Sequence, residues 1–231
     1  MSQKKTPKRP ANERLFCFSV EGDTEKWYLE HLKKLVNDEL ERQKAGFHIG
    51  IAIKVEKDPR QIPWPFIPKA VHVCDYEKPM PQQAGMNRSE QFKTMLDNLS
   101  AAAKDKNLEY SLGYSNLSFE LWLILHKRNC NGGKIDCEQY LADLNAAYSS
   151  AFLSLKAYKK EADFKKLMEN ITLADVHNAI QRARAIQQAN AQNHEAQTYR
   201  NYEFYTNNPS LSIHERIQDI FAFCAEKGVS V

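Results

Sequence analysis

The chain has 231 residues, of which 42% are hydrophobic and 26% are charged, an ordinary composition for a soluble globular protein and far from the disordered class. Its net charge of +3 is concentrated in the first 14 residues, where five Lys or Arg side chains accompany Glu13 alone. The remaining chain is close to neutral. This excludes a protein coated in positive charge, such as a histone-like protein, but it allows a local patch that binds nucleic acid.

The sequence predicts a cytoplasmic protein without a membrane segment. Its most apolar stretch, Phe119 to His126, is far shorter than the ~20 residues that a membrane span requires. No apolar segment follows the positive charges of Met1 to Pro10, so no secretory signal is predicted. The five cysteines include no CxxC pair, which argues against a zinc site, and Cys17 and Cys74 lie in apolar runs where buried thiols are expected.

Strands alternate with helices in the first half of the chain. Leu15 to Val20 is apolar without a helical period and predicts a buried strand, which Gly22 ends. Apolar residues at spacings of two to four then predict an amphipathic helix to about Lys44, and strict alternation from Phe47 to Val55 predicts a second strand. The same criteria predict the strands Ala70 to Cys74 and Tyr110 to Tyr114, and the helices Arg88 to Lys104 and Phe119 to Lys127. The expected fold class is α/β, with a mostly parallel sheet flanked by helices.

Two other segments have a different character. Asp58 to Lys69 contains four prolines and predicts a loop or a short extended lid. From Asp136 onward every predicted element is helical, and none is convincingly a strand: Asp136 to Tyr148, Glu161 to Glu169, Leu173 to about Ala196, and Ile213 to Lys227. We therefore expect a flexible basic leader over residues 1–13, an α/β core over 14–135, and a helical C-terminal part over 136–231 packed on the core.

Acidic residues follow two of the predicted strands. Glu21 ends the first strand and Glu25 lies in the first turn of the next helix, whereas Asp75 and Glu77 directly follow a later strand. Single acids in such places often cap helices and stabilise the helix dipole. Two acidic pairs, each directly after an apolar strand, are harder to explain by capping alone. The carboxyl ends of parallel strands are also where ligands bind in open sheets. The four carboxylates predict a site for a hard divalent cation.

Glu120 is a further candidate, because it lies inside the apolar segment that ends at His126. A carboxylate in such a segment is expected to be paired or bound to a metal. His126 is interpreted first as a helix-end histidine stabilised by the helix dipole and only secondarily as a ligand.

Several motifs together resemble the RloB-like family of Toprim-domain proteins. The most specific are VEGDTEKWYLEHL after the first strand and SNLSFELWLILHK around Glu120. The step from Asp75 to Glu77, the Tyr158-Lys159-Lys160 segment, AIQRARAI and NNPSLSIHERI follow in the order typical of the family. The resemblance covers most of the chain from Leu15 to about Ile220. It implies a Toprim-like fold related to the nucleases of the overcoming-lysogenization-defect group.

The resemblance also implies roles for individual residues. Glu21 corresponds to the glutamate at the first strand end, and Asp75 to the first aspartate of an Asp-x-Asp motif that holds magnesium. Glu77 stands where the second aspartate is usual. Glu25 and Glu120 correspond to further acids of the nuclease branch.

A lysine beyond the core corresponds to Lys160, with Lys159 as the alternative. Leu117 and Lys127 also depart from the family pattern, where a proline and an aromatic residue are usual.

The leading hypothesis is a Mg²⁺- or Mn²⁺-dependent endonuclease that hydrolyses DNA or RNA, including tRNA. Glu21, Glu25, Asp75, Glu77 and Glu120 would be catalytic metal ligands, and Lys160 would stabilise charge on the phosphate. A degenerate Toprim subunit that binds without turnover is the main alternative, favoured by Glu77. A primase-like nucleotidyl transferase is weaker, because no nucleotide-recognition feature supports it.

The resemblance further implies antiphage defence, or abortive infection, with an ABC/Rad50-type ATPase as partner. The chain has no P-loop of its own, so ATP-driven control would come from that partner. The substrate, the trigger and any homo-oligomer stay open. Basic side chains in the second half are candidates for phosphate contacts, although solubility explains each equally well: Lys156, Lys159, Lys160, Lys165, Lys166, Arg182, Arg184 and Arg200.

Overall fold

A five-stranded sheet forms the centre of the protein, whose computed structural model describes residues 12–76 and 87–231. The strand order is β2-β1-β3-β4-β7, with the first four strands parallel and β7 antiparallel to the end of β4. The strands are β1 (Glu13–Val20), β2 (His48–Val55), β3 (Lys69–Asp75), β4 (Glu109–Asn116) and β7 (Ser210–Leu211). A separate hairpin pairs β5 (Gln197–Tyr199) with β6 (Tyr202–Phe204). The predicted α/β class and mostly parallel sheet are confirmed.

Helices cover both faces of this sheet. In chain order they are α1 (Asp23–Arg42), α2 (Arg88–Lys106), α3 (Glu120–Leu125), α4 (Tyr140–Tyr148), α5 (Leu155–Tyr158), α6 (Glu161–Met168), α7 (Leu173–Asn193) and α8 (Ile213–Glu226). None of the helices in the described ranges has the length and apolar character needed to span a membrane.

The sheet separates two apolar clusters because successive strand residues point to opposite faces. Phe18 and Val20 of β1 face the larger cluster, to which helices α1 and α3 to α8 contribute. Cys17 faces the smaller cluster, where α2 packs with Phe92 and Leu96. The thiols of Cys17 and Cys74 are buried, as predicted.

The prediction that no strand follows Asp136 is wrong. β5, β6 and β7 have only two or three residues each, too few for an alternating pattern to be visible. The predicted helix Asp136 to Tyr148 begins later, since Cys137–Gln139 forms a 3₁₀ turn before α4. The short helix α5 was not predicted. Because β7 belongs to the central sheet, residues 136–231 are not a purely helical part.

Helix α8 packs against the first strand, β1. Phe223 of α8 packs edge-on against Phe16 of β1, at 6.1 Å between ring centroids, and against Phe47, at 5.7 Å. Ile213, Ile217 and Ile220 of α8 are fully buried in the larger cluster. The C-terminal helix therefore covers part of the first strand directly.

The proline-rich segment packs on the smaller cluster. Pro59–Gln61 is a 3₁₀ turn capped by Asp58, after which Ile62 and Ile67 are buried. Trp64 donates its indole N–H to the Tyr110 hydroxyl at 3.1 Å. That hydroxyl lies 2.6 Å from Ser19 Oγ, which also contacts His72 Nδ1 at 2.9 Å. The segment is thus a loop, as predicted, and it is anchored to the sheet.

Candidate functional site

Two of the predicted acids lie where neighbouring strands end. Glu21 directly follows β1, and Asp75 is the last residue of β3. These strands are parallel neighbours, with Val20 opposite Val73, so their carboxyl ends meet at the same edge of the sheet. Glu77 lies outside the described residues, and its role stays a prediction.

Glu25 folds back toward this edge from the first turn of α1. Its side chain is 5% exposed, and its Oε2 accepts a hydrogen bond from the Thr24 hydroxyl at 2.7 Å. Burial raises the pKa of Glu25, and the negative charge of Glu120 adds to the rise. Thr24 and Lys159 act in the opposite direction. Glu25 therefore accepts a proton more readily than an exposed glutamate.

Glu120 begins α3 and is 1% exposed. Its Oε1 accepts hydrogen bonds from the Tyr158 hydroxyl at 2.6 Å and from Lys159 Nζ at 2.7 Å. Its Oε2 is buried and accepts no well-formed hydrogen bond from the described residues, although the Ser118 hydroxyl lies near enough to help to lower the pKa of Glu120. Burial alone would raise the pKa of Glu120, but attraction to Lys159 and the hydrogen bonds outweigh it and lower the pKa. The expected pairing of this carboxylate is confirmed.

Lys159, rather than Lys160, forms an ion pair with Glu120. Lys159 follows α5, whereas Lys160 is an exposed residue at the start of α6. Burial would lower the pKa of Lys159, but Glu120, Asp75 and Glu25 together raise it. Tyr158 was missed as a site residue, because the sequence marks it only as part of a motif and not as a buried hydrogen-bond donor.

The charges of the four described acids act on two common neighbours, Cys74 and Lys159. Burial raises the pKa of the Cys74 thiol, and the negative charges of Glu21, Asp75 and Glu25 raise it further. The charges of Glu120, Asp75 and Glu25 likewise raise the pKa of Lys159. Within residues 12–76 and 87–231, however, no three His, Cys, Asp or Glu side chains are arranged to hold a metal ion. The acids converge on one region without forming a closed ligand set there.

His126 lies at the C-terminal end of α3, as predicted, but the helix dipole does not hold it as a charged residue. The ring is fully buried; Nδ1 lies 2.9 Å from the Trp122 carbonyl oxygen, and Nε2 lies 3.2 Å from the Tyr28 hydroxyl. Since a carbonyl can only accept, Nδ1 carries the proton and Nε2 accepts from Tyr28. Burial lowers the pKa of His126 to about 4. The neutral ring is part of the core.

Three of the basic side chains predicted to contact phosphate bind groups of the protein itself. Arg182 donates to the carbonyl oxygens of Leu125 and His126, at 2.6 and 3.0 Å. Lys165 pairs with Glu161, and Arg200 pairs with Asp97. The Arg182 contacts give that side chain a structural role, whereas the other two pairs are exposed ion pairs, and nucleic-acid binding by the remaining basic residues stays a prediction.

The family model for RloB-like proteins matches residues 16–220, which is most of the chain. The protein belongs to the RloB-like family. No curated protein and no solved structure matches it significantly. The region that contains Glu21, Glu25, Asp75, Glu120 and Lys159 lies entirely within the part that matches the RloB-like model.

Proposed function

We propose that this RloB-like protein is a nuclease that hydrolyses phosphodiester bonds of DNA or RNA with Mg²⁺ or Mn²⁺. The observation that carries the proposal is the convergence of buried and half-buried carboxylates, with one lysine, at the carboxyl edge of a parallel sheet. Such edges are where ligands bind in open α/β sheets.

The chemistry of the donors supports a hard cation, because all four acids offer carboxylate oxygens. The buried Oε2 of Glu120 accepts no well-formed hydrogen bond from the described residues, and a cation would satisfy this oxygen. Glu21 and Asp75 at the strand ends would hold the ion, together with Glu77, Glu25 and Glu120. When bound, the ion would neutralise charge on the phosphate and lower the pKa of the attacking water.

The other side chains have distinct tasks in this proposal. Lys159 can stabilise negative charge on the phosphate, because it is the lysine that reaches the acids. Tyr158 holds the Glu120 carboxylate in place through its 2.6 Å hydrogen bond.

The test uses the variants Glu21→Ala and Asp75→Ala in cleavage assays on DNA and tRNA with Mg²⁺ or Mn²⁺. We expect each variant to lose activity by about a hundredfold or more. Glu109→Ala is the matched control, because Glu109 begins β4 at the opposite end of the sheet and its side chain is 58% exposed. Full activity in both site variants would refute the assignment.

A second candidate is a binding subunit without turnover. It is favoured by the absence of a three-ligand group among the described residues and by the ion pair in which Lys159 already neutralises Glu120. Titration with Mn²⁺ distinguishes the two candidates. A nuclease should bind Mn²⁺ and cleave a nucleic acid, whereas this subunit should cleave none at saturating Mn²⁺.

Membership of the RloB-like family supports a role in antiphage defence with an ABC-type ATPase, through the kinship stated above. The sequence has no P-loop, which is consistent with control by a separate ATPase. Copurification with the product of a neighbouring ATPase gene, and loss of phage protection in Asp75→Ala, would test this role in the cell.

A further inference from the structure

We propose that Lys159 and a divalent cation compete for Glu120, so that binding of the cation releases Lys159 to contact the substrate phosphate. The inference rests on the proposed function and concerns how the two positive charges share one carboxylate. It makes Lys159 an exchangeable counterion rather than a fixed part of the core.

Glu120 needs a positive neighbour because its carboxylate is buried. A buried charge is tolerated only when it is paired and hydrogen-bonded. Oε1 is already occupied by Tyr158 and Lys159, whereas Oε2 accepts no well-formed hydrogen bond from the described residues. A cation that bound Oε2 would stand close to the Lys159 ammonium group, and the two positive charges would repel. Each of them therefore weakens the hold of the other on Glu120.

Lys159 is the group that can move. The Lys159 side chain is 43% exposed, whereas Tyr158 is completely buried and Glu120 is 1% exposed. Lys159 lies in the two-residue connection between α5 and α6, and its ammonium group is carried on a flexible four-carbon stem. It can therefore leave Glu120 without disturbing the packing around Tyr158, and its charge then faces solvent.

The surroundings favour such an exchange. Glu120, Asp75 and Glu25 all attract Lys159, so the lysine compensates several carboxylates at once. A divalent cation would supply two charges to the same carboxylates. The released lysine could then approach a phosphate oxygen, and binding of the metal and recognition of the substrate would be coupled.

The test measures Mn²⁺ affinity by electron paramagnetic resonance and by calorimetry. Lys159→Met removes the competing charge, and we expect it to bind Mn²⁺ at least about tenfold more tightly while it cleaves more slowly. Lys159→Arg keeps the charge and should bind Mn²⁺ as the unaltered protein does. Lys160→Met is the matched control for affinity, because Lys160 is the exposed neighbour.

The outcomes separate the inference from the proposed function. Equal or weaker Mn²⁺ binding by folded Lys159→Met, with cleavage intact in the unaltered protein, overturns the exchange alone. Absence of both Mn²⁺ binding and cleavage in the unaltered protein overturns the function and the exchange together. A merely structural lysine would lower affinity and activity in parallel, whereas competition moves them in opposite directions.

A measurement on the unaltered protein keeps the inference testable if Lys159→Met does not fold. Nuclear magnetic resonance of the lysine ammonium groups should show the Lys159 signal shifting as Mg²⁺ is added. Lys127 and Lys134 are internal controls, because they pair with Asp175 and Asp143 outside the site. An unchanged Lys159 signal at saturating Mg²⁺ overturns the exchange.

Discussion

Gly22 illustrates how a single residue makes room for the site. Its backbone is extended, with φ −147° and ψ 178°, so no left-handed conformation demands glycine there. The requirement is space, since a Cβ atom at this position would lie 3.1 Å from Glu25 Oε2. The glycine lets the Glu25 carboxylate fold back over the start of α1 and meet Thr24.

We therefore predict that Gly22→Ala displaces the Glu25 carboxylate. Metal-dependent cleavage should fall by about tenfold or more, whereas the free energy of unfolding should change by about 1 kcal/mol or less, because alanine tolerates the extended backbone. Gly132→Ala is the control, since a Cβ atom there meets nothing within 4 Å. Cleavage assays and urea denaturation measure the two effects; identical activities in both variants would contradict the prediction.

The sequence predicts that Glu120 is paired, but it does not identify the partners. A carboxylate within an apolar helical segment had to be compensated, and the structure confirms that it is. The identity of its partners depends on α5, which brings Tyr158 to within hydrogen-bond distance from 38 positions along the chain. No local pattern in the sequence encodes that contact, and the family resemblance alone leaves both Lys160 and Lys159 as candidates.

The proline-rich segment between β2 and β3 contains both buried and exposed apolar side chains. Ile62 is 1% exposed and packs in the smaller cluster, whereas Phe66 has its ring entirely in solvent. Trp64 adds a hydrogen bond to Tyr110. The side of the segment that carries Ile62 therefore contributes to the core, whereas the side that carries Phe66 does not.

We predict that Ile62→Ala lowers the free energy of unfolding by about 2–4 kcal/mol, because it removes a fully buried side chain and leaves a cavity. Phe66→Ala is the matched control in the same segment and should change stability by no more than about 0.5 kcal/mol. Urea denaturation of the two variants checks the difference. Equal losses would mean that the segment is not anchored through Ile62.

The length and periodicity of an element decided whether it could be predicted. β1 to β3, α1 and α2 are long and strongly patterned, and they lie close to the predicted bounds. β5, β6, β7 and α5 have two to four residues each, and tertiary contacts rather than local periodicity define them. This is why the C-terminal part was expected to be purely helical.

At the scale of the whole molecule, three buried histidines link stability to pH. Burial lowers the pKa of His72, His126 and His214 to about 4 in each case. They lie on different elements, namely β3, the end of α3 and α8, and all are at most 1% exposed. Folding therefore holds three imidazoles neutral at a pH where the unfolded chain would protonate them.

We predict that the free energy of unfolding decreases as the pH falls from about 6.5 to about 4. In this window the unfolded chain binds more protons than the folded protein, so each histidine contributes up to about 1.4 kcal/mol per pH unit. His126→Gln should reduce the slope, whereas replacement of the exposed His48 should not. Urea denaturation at several pH values measures the slope; equal slopes in the two variants would refute the assignment.

The contact of Phe223 with Phe16 has a consequence for synthesis of the protein on the ribosome. Translation at roughly 5–20 residues per second places about 10–40 seconds between these two phenylalanines. During that interval the nascent first strand lacks the helix that covers it, and the strand β7 that extends the sheet beside β4 is also missing. The emerging chain therefore exposes apolar surface that a chaperone can bind until its last helix has been made.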